Sequence, residues 1–261
     1  MRSMTDVIRA AKVSHWFDRG SGTPQHVIDN ISLTVIENEF VSLVGPSGCG
    51  KTTFLNLVAG LEQLQVGDLT VAGTLPTAGQ SGTSYAFARD ALLPWRTAEE
   101  NVCLPMELAG VPAAERGRRA KELLRQVGLG DNAKSYRSEL SQGMRQRVAL
   151  ARTLSVHPFL LLMDEPFAAL DAQTRIAMQQ QLLSILAHER TTVLFVTHDL
   201  GEAVTLSDRV VLLSRRPASV RRIYDIDLPK PRNPIALQAY ARFHQLLESI
   251  WVELGTEVSS G

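Results

Sequence analysis

Three short segments of the chain are rich in apolar and β-branched residues, and polar or glycine-containing segments bound each of them. They cover residues 39–44, 159–163 and 191–196. Such runs are typical of strands that are buried on both faces, as in a parallel sheet. Residues 52–59 and 113–127 read instead as helices, the second with charges on one face and apolar residues on the other. The pattern therefore predicts an α/β fold with a largely parallel sheet.

The pattern changes after residue 214. Residues 223–228 alternate like a strand, and Pro229, Pro231 and Pro234 mark a linker. Further on, apolar residues recur at helical spacing, namely Tyr240, Phe243, Leu247, Ile250, Trp251 and Leu254. We predict that this stripe packs on the chain's own body, with a dimer contact and a regulatory ligand site as the less favoured alternatives.

A glycine-rich loop follows the first apolar segment and precedes the helical residues 52–59. It matches the pattern G-x-x-x-x-G-K-[ST], which requires a strand before it and a helix after it. Its glycines allow backbone N–H groups to point at phosphate oxygens, and the helix N-terminus adds partial positive charge. Lys51 supplies a full charge to the β- and γ-phosphates, and Thr52 offers a hydroxyl to Mg²⁺. The predicted nucleotide-binding residues are Gly45, Pro46, Ser47, Gly48, Cys49, Gly50, Lys51, Thr52 and Thr53.

Two acids end the second apolar segment, and a histidine follows the third. Ligands of parallel sheets bind beyond the carboxyl ends of the strands. We therefore expect Asp164 to hold Mg²⁺ and Glu165 to orient and deprotonate an attacking water. We expect His198 to hydrogen-bond the γ-phosphate. The predicted catalytic residues are thus Lys51, Glu165 and His198, and the predicted metal ligands are Thr52 and Asp164.

The order of these motifs, with the signature Leu140-Ser141-Gln142-Gly143-Met144-Arg145-Gln146-Arg147 and the segment Ala169-Leu170-Asp171, resembles the nucleotide-binding subunit of ABC transporters. The likeness runs from about residue 7 to about residue 214. Residues 45–51, 92–95 and 164–171 are similar to the nitrate/sulfonate/taurine importer group. The tail, residues 227–232 followed by a helix with Ile250 and Trp251, is similar to the C-terminus of that group.

This resemblance implies a P-loop NTPase (RecA-like) core with an N-terminal antiparallel β portion. It also implies an inserted α-helical lobe, at about residues 88–154, that carries the signature. The domain prediction is accordingly an ABC ATP-binding domain at residues 1–214. Residues 215–261 then form a C-terminal extension, with a strand, a proline-rich linker and an amphipathic helix.

The resemblance further implies a homodimer that holds two ATP molecules between its subunits. Ser141 and Gly143 would contact the ATP that is bound mainly by the other subunit, and Asp171 would lie at the seam. The signature has an independent physical basis, because a serine that opens a basic helix forms an anion site. By resemblance the adenine stacks on Phe17, with adjacent Trp16 as the alternative, and either ring is equally compatible with a core position.

The implied function is ATP hydrolysis that energises import of a small solute such as a sulfonate, taurine or a nitrate-like compound. Transmembrane permease subunits would be the direct partners, and a periplasmic or extracellular solute-binding protein an indirect one. The permease would dock on the helical lobe. The chain would then lie peripherally on the cytoplasmic face of the cell membrane.

Two positions depart from the family pattern. Ala88 stands where the family usually has the glutamine that reaches the Mg²⁺ shell, and Gln80 lies too far upstream to replace it. Gln142 stands where glycine is usual, a change that we expect to be tolerated. Ala88 leaves open a nucleotide-binding regulatory subunit with weak turnover. A soluble ABC ATPase acting on nucleic acid or ribosomes is the other alternative, but the chain has one cassette and no long inserted helix.

Composition limits the partners and the compartment. Lys and Arg number 27, as do Asp and Glu, so no net charge recruits nucleic acid. Two cysteines do not suggest a disulfide framework, and Cys49 lies in the glycine loop, so we expect a reducing cytosol. We recognise neither a membrane-spanning stretch nor a signal peptide, so a transport role would need another polypeptide in the bilayer.

Overall fold

The computed structural model of the protein describes residues 5–18, 20, 22 and 24–259. The strands are β1 (Asp6–Phe17), β2 (Gln25–Ile36), β3 (Phe40–Val44), β4 (Val66–Val71), β5 (Thr83–Ala86), β6 (Leu160–Asp164), β7 (Thr192–Val196), β8 (Arg209–Leu213) and β9 (Val220–Asp225). The helices are α1 (Lys51–Val58), α2 (Ala98–Leu108), α3 (Ala113–Gln126), α4 (Gln142–Leu154), α5 (Ala172–Leu186), α6 (Leu200–Leu206) and α7 (Ala241–Ser259). The described residues form two compact units, one from the described parts of 5–83 and 192–259 and the other from 84–191.

The first unit contains an antiparallel sheet and a set of parallel strands. The antiparallel sheet has the order β2-β1-β4, as expected for the N-terminal part of the chain. The second set has the order β7-β3-β8-β9, in which β7, β3 and β8 are parallel and β9 is antiparallel to β8. Every residue of β3 and of β7 is buried. This burial explains their continuous apolar sequences, because neither face of either strand meets water.

The C-terminal helix α7 packs on the first unit, as predicted for the apolar stripe. Phe243, Leu246 and Ile250 join a buried cluster with residues of β8, β9 and α6. Two members of the predicted stripe lie elsewhere: Tyr240 precedes α7 and is 46% exposed, and Trp251 is 68% exposed. Successive helical residues are turned by about 100° from each other, so burial of Ile250, which is 0% exposed, turns its neighbour Trp251 outward.

The strand expected at residues 223–228 begins and ends earlier, because β9 covers Val220–Asp225. Its start is set by the tight turn after β8, where the backbone N–H of Ser214 donates to the carbonyl of Ser219 at 2.9 Å. The alternation continues to Leu228 because Ile226 and Leu228 are also buried, in the same cluster as α7. The alternating sequence pattern therefore reflects burial, which continues beyond the last residue of β9.

The second unit contains strands β5 and β6, which are neighbours, and helices α2 to α5. Helix α2 begins with a capping box, in which the Thr97 hydroxyl accepts from the Glu100 N–H and the Glu100 carboxylate accepts from the Thr97 N–H. Helix α3 packs on α2 and α4 through Ala120, Leu123 and Leu124, all fully buried. The unit thus includes the predicted lobe at about residues 88–154 together with β6 and α5. None of the helices among the described residues has both the length and the apolar character needed to cross a bilayer.

Candidate functional site

The glycine loop lies between β3 and α1, as predicted. Gly48 and Gly50 have φ angles of +69° and +133°, which are accessible to glycine at little cost. A Cβ atom at Gly45 would lie 2.9 Å from the carbonyl oxygen of Leu213, and one at Gly50 would lie 3.0 Å from that of Val27. The loop is therefore confined between the end of β8 and the start of β2, and side chains at these positions would displace it.

Lys51 is the first residue of α1 and is 5% exposed. Its Nζ atom donates to the carbonyl oxygens of Gly45 and Pro46, at 2.8 and 3.0 Å. An ammonium group has three N–H donors, and these bonds use two of them. The lysine thus spans the loop and keeps its charge at the helix N-terminus, where anions are favoured. Thr52, the next residue, is exposed.

A turn of residues 214–219, which we call the supporting turn, holds the outer side of the loop. The Arg216 guanidinium donates to the carbonyl of Gly48. Ala218 exchanges two backbone hydrogen bonds with β2, each of 2.8 Å. Nothing in the sequence indicates that Arg216 reaches the glycine loop, because the two residues are 168 positions apart.

His198 follows β7 and is exposed, between two residues that are held in place. The Thr197 hydroxyl is buried and donates to Glu202 at 2.7 Å. Asp199 caps α6 by accepting from the Glu202 N–H at 3.1 Å. The structure thus anchors the backbone on both sides of the histidine. Sequence reasoning missed this support, although Asp199 and Glu202 have the spacing of a helix-capping pair.

The two aromatic residues proposed for the adenine lie at the end of β1. Trp16 stacks on His26, with ring centroids 4.4 Å apart. The Phe17 and His15 rings form a T-shaped pair with centroids 4.8 Å apart. Both rings are partly exposed, so burial does not decide between them.

In the second unit, Asp164 ends β6 and Glu165 opens the following turn. Glu165 has a φ angle of +45°, a left-handed conformation that is uncommon for a residue with a side chain. The turn is held by Gln146 of α4, whose Nε2 atom donates to the Pro166 carbonyl at 2.5 Å. Strained backbone at a carboxylate after a buried strand is typical of functional sites, and Gln146 is a supporting residue that the sequence did not indicate.

The signature serine and glycine lie at the start of α4. Ser141 is the N-cap, and its Oγ atom accepts from the Met144 N–H at 3.3 Å. A Cβ atom at Gly143 would lie 3.0 Å from Cγ2 of Thr174, so this glycine permits close contact with α5. Asp171 caps α5 by accepting from the Thr174 N–H and hydroxyl, which lowers the pKa of its carboxyl group. Gln142 is exposed, as expected for a tolerated change.

Ala88 lies in an exposed bend of the second unit. In the first unit, the Gln80 amide is already engaged, because its Nε2 atom donates to the Val71 carbonyl and to the Thr74 hydroxyl, both at 3.4 Å. These contacts agree with the expectation that Gln80 does not replace the missing glutamine.

Comparison with known proteins identifies the family of this chain. The ABC transporter family matches residues 28–168. The chain belongs to this family. An uncharacterized ABC transporter ATP-binding protein of Methanocaldococcus jannaschii is 46% identical over 218 residues, which cover 84% of this chain and 82% of that protein. The aliphatic sulfonates import ATP-binding protein SsuB of Bacillus thuringiensis subsp. konkukian is 40% identical over 222 residues, 85% of this chain and 87% of that protein.

A solved structure agrees with this assignment. The ATP-binding cassette MJ0796, as a dimer in a post-hydrolysis state bound to ADP and Pi, aligns with a TM-score of 0.74 at 29% identity. The alignment covers 85% of this chain and 100% of that chain. The predicted family and P-loop fold are therefore confirmed, and the chain is an ABC ATPase.

Proposed function

We propose that this ABC ATPase energises import of a small solute, of the sulfonate, taurine or nitrate kind. The observation that carries this proposal is the 40% identity to an aliphatic sulfonates import ATP-binding protein over 87% of that protein's length. The likeness extends beyond the conserved motifs of the fold, since it covers 85% of this chain. The tail resembling that importer group supports the same solute class.

In this proposal the glycine loop binds the nucleotide phosphates. Its N–H groups and the third N–H of Lys51 donate to β- and γ-phosphate oxygens. The buried position of Lys51 supports this role, because a cation held by two carbonyl oxygens needs little further ordering to meet an anion. Phe17, or alternatively Trp16, stacks on the adenine.

Thr52 and Asp164 are the proposed Mg²⁺ ligands. A hydroxyl and a carboxylate are hard oxygen donors, which suit this ion, and it usually keeps several waters and binds one or two protein groups beside the phosphates. Thr52 lies at the first turn of α1 and Asp164 at the carboxyl end of a buried strand, where such ligands are expected. When bound, the ion would neutralise developing phosphate charge.

Hydrolysis is in-line attack of water on the γ-phosphorus, which breaks its bond to the oxygen shared with the β-phosphate and releases ADP. Glu165 accepts the proton of the attacking water, and the bond from Gln146 to the Pro166 carbonyl supports the backbone next to it. His198 donates to a γ-phosphate oxygen from an exposed position between anchored neighbours.

We also propose that two copies form the complete site. Ser141 and Gly143 of one subunit would contact the ATP of the other, with Asp171 at the seam. The dimeric state of the related cassette MJ0796 supports this assembly. Permease subunits in the membrane would bind this dimer at the cytoplasmic face, and a solute-binding protein would act through the permease.

A regulatory subunit with weak turnover is the second candidate function, because Ala88 lacks the amide usual at its position. We predict that Ala88→Gln raises the ATPase rate by about tenfold, the value of about one hydrogen bond gained in the transition state. Phosphate release by the purified chain and solute uptake by the assembled transporter measure this change. Ala114→Gln, at an exposed alanine of α3 in the same unit, is the matched control and should leave the rate unchanged. An unchanged rate and unchanged uptake in Ala88→Gln would contradict the prediction.

Uptake by cells whose own copy of the gene is deleted identifies the solute. These cells carry an introduced copy of either the wild-type gene or Lys51→Met, and labelled taurine, an alkanesulfonate and nitrate are offered to them separately. The proposal expects uptake of one of these solutes to require the wild-type protein. Equal uptake of all three by both strains would refute the import function, and recovery of the protein with RNA rather than with a polytopic membrane protein would favour the nucleic-acid alternative.

A further inference from the structure

Asp90 lies two residues after Ala88 and is held by several donors within the second unit. Its side chain is 11% exposed. The carboxylate accepts from Arg137 Nε at 3.0 Å and from the Leu92 N–H at 3.1 Å. Arg145 Nε lies 3.2 Å from the other oxygen, as an ion pair whose angle is not that of a hydrogen bond.

These two arginines flank the signature, residues 140–144. Arg137 belongs to the short 3₁₀ turn Arg137–Glu139 before it, and Arg145 belongs to α4 after Ser141. Arg145 also donates from Nη1 to the Leu140 carbonyl at 3.2 Å. One carboxylate therefore connects the residues on both sides of the signature.

A third arginine fixes the backbone of the same segment. Arg152 of α4 donates to the carbonyl oxygens of Asp90 and Ala91, at 2.9 and 2.8 Å. Arg145 and Arg152 are seven residues apart, so they lie on the same face of α4. Residues 90–91 are thus attached to the signature helix α4 at two places, near its start by Arg145 and in its last turn by Arg152.

A simple surface ion pair is the alternative explanation, and such pairs contribute little. The Asp90 contacts differ from a surface pair, because the carboxylate is largely buried and more than one arginine contacts it. Burial alone would raise the pKa of Asp90, but the hydrogen bonds from Arg137 and Leu92 and the nearby arginine charges outweigh it and lower the pKa. Arginines from two elements share one largely buried carboxylate, so its loss would leave both without their partner.

We propose that Asp90 is a positioning residue for the signature, which keeps Ser141 and Gly143 oriented toward the ATP of the other subunit. This inference rests on the proposed function. It also assigns this chain a link between the segment that carries Ala88 and the signature, which does not require the missing glutamine.

Loss of the Asp90 contacts should weaken ATP-driven dimerisation and leave ATP binding intact, whereas a general loss of structure would weaken both. The glycine loop belongs to the first unit, so ATP binding to one subunit should remain. Closure of two subunits on ATP should weaken, because Ser141 and Gly143 act only across the seam.

The test uses the full chain with Glu165→Gln as parent, with and without Asp90→Asn. Asparagine keeps the side-chain shape and can still accept from the Leu92 N–H, but it loses the charge. Light scattering with Mg-ATP measures the concentration at half dimerisation, and titration with a fluorescent ATP analogue measures nucleotide affinity. We expect that concentration to rise by about 10- to 100-fold, with ATP affinity changed by less than about twofold.

Two variants complete the design. Asp131→Asn, at an exposed acid of the same unit, is the matched control and should behave like the parent. Arg145→Gln keeps the Asp90–Arg137 contact and serves if Asp90→Asn does not fold. Combined with Asp90→Asn, it should add less than it does alone, since the two changes share the loss of the Asp90–Arg145 ion pair.

The outcomes are distinct. Dimerisation of Asp90→Asn at the parent's concentration overturns this inference alone. A parallel loss of ATP affinity and thermal stability also overturns it, in favour of a structural role. Failure of the Glu165→Gln parent to pair, both in solution and when assembled with its permease, overturns the proposed composite site, and this inference with it.

Discussion

Replacing Glu165 by glutamine is expected to lower the ATPase rate by about 10²- to 10⁴-fold. Glutamine has nearly the same shape, so the strained turn at φ +45° and its support by Gln146 should persist. It cannot accept the proton of the attacking water. Phosphate release by the purified chain, at saturating Mg-ATP, measures the effect.

The matched control for this change is Glu115→Gln, at an exposed position in the first turn of α3. It should leave the rate within about twofold, as expected for a surface substitution. ATP binding should be retained in both variants. A Glu165→Gln protein that keeps half of the wild-type rate would show that another group activates the water.

Replacing Lys51 by methionine is expected to weaken ATP binding by about 10- to 100-fold, the range for loss of hydrogen bonds to a charged group. Methionine retains an unbranched apolar stem but provides no donor. Phosphates would lose their direct cationic partner, and the carbonyls of Gly45 and Pro46 would lose the ammonium that bridges them. Isothermal titration with Mg-ATP measures the affinity.

Lys121→Met is the control, because Lys121 is a mostly exposed lysine of α3. A melting curve of each variant separates loss of binding from loss of folding. Lys51→Met that melts like the wild type and binds ATP with unchanged affinity would contradict the role proposed for the glycine loop.

The local elements of the site were predictable because short-range rules fix them. The three apolar segments that precede the motifs predicted β3, β6 and β7 to within one residue at each boundary. The serine of the signature was expected to open a helix, and Ser141 is the N-cap of α4. These features depend on burial, glycine conformations and capping within a few residues.

The supporting contacts were not predictable in the same way. Arg216 reaches Gly48 across 168 positions, and Asp90 meets Arg137 and Arg145 across 47 and 55. Charge patterns in sequence do not specify which acid meets which base. The left-handed conformation of Glu165 was also missed, because no local rule demands it of a glutamate.

The sequence also did not predict which face of α7 is buried. A stripe that included both Ile250 and Trp251 is too wide for one buried face, and only tertiary packing shows which member turns outward. Leu246 belongs to the buried face, although the predicted stripe did not include it.

The mass of the Glu165→Gln protein in solution is the most direct test of the composite ATP site. Multi-angle light scattering is recorded with Mg-ATP and, as a control, with Mg-ADP. We expect Mg-ATP to double the mass from that of the 28.7 kDa chain, and Mg-ADP to leave it unchanged. A protein that binds Mg-ATP to saturation, stays monomeric and also fails to pair when assembled with its permease would contradict the account.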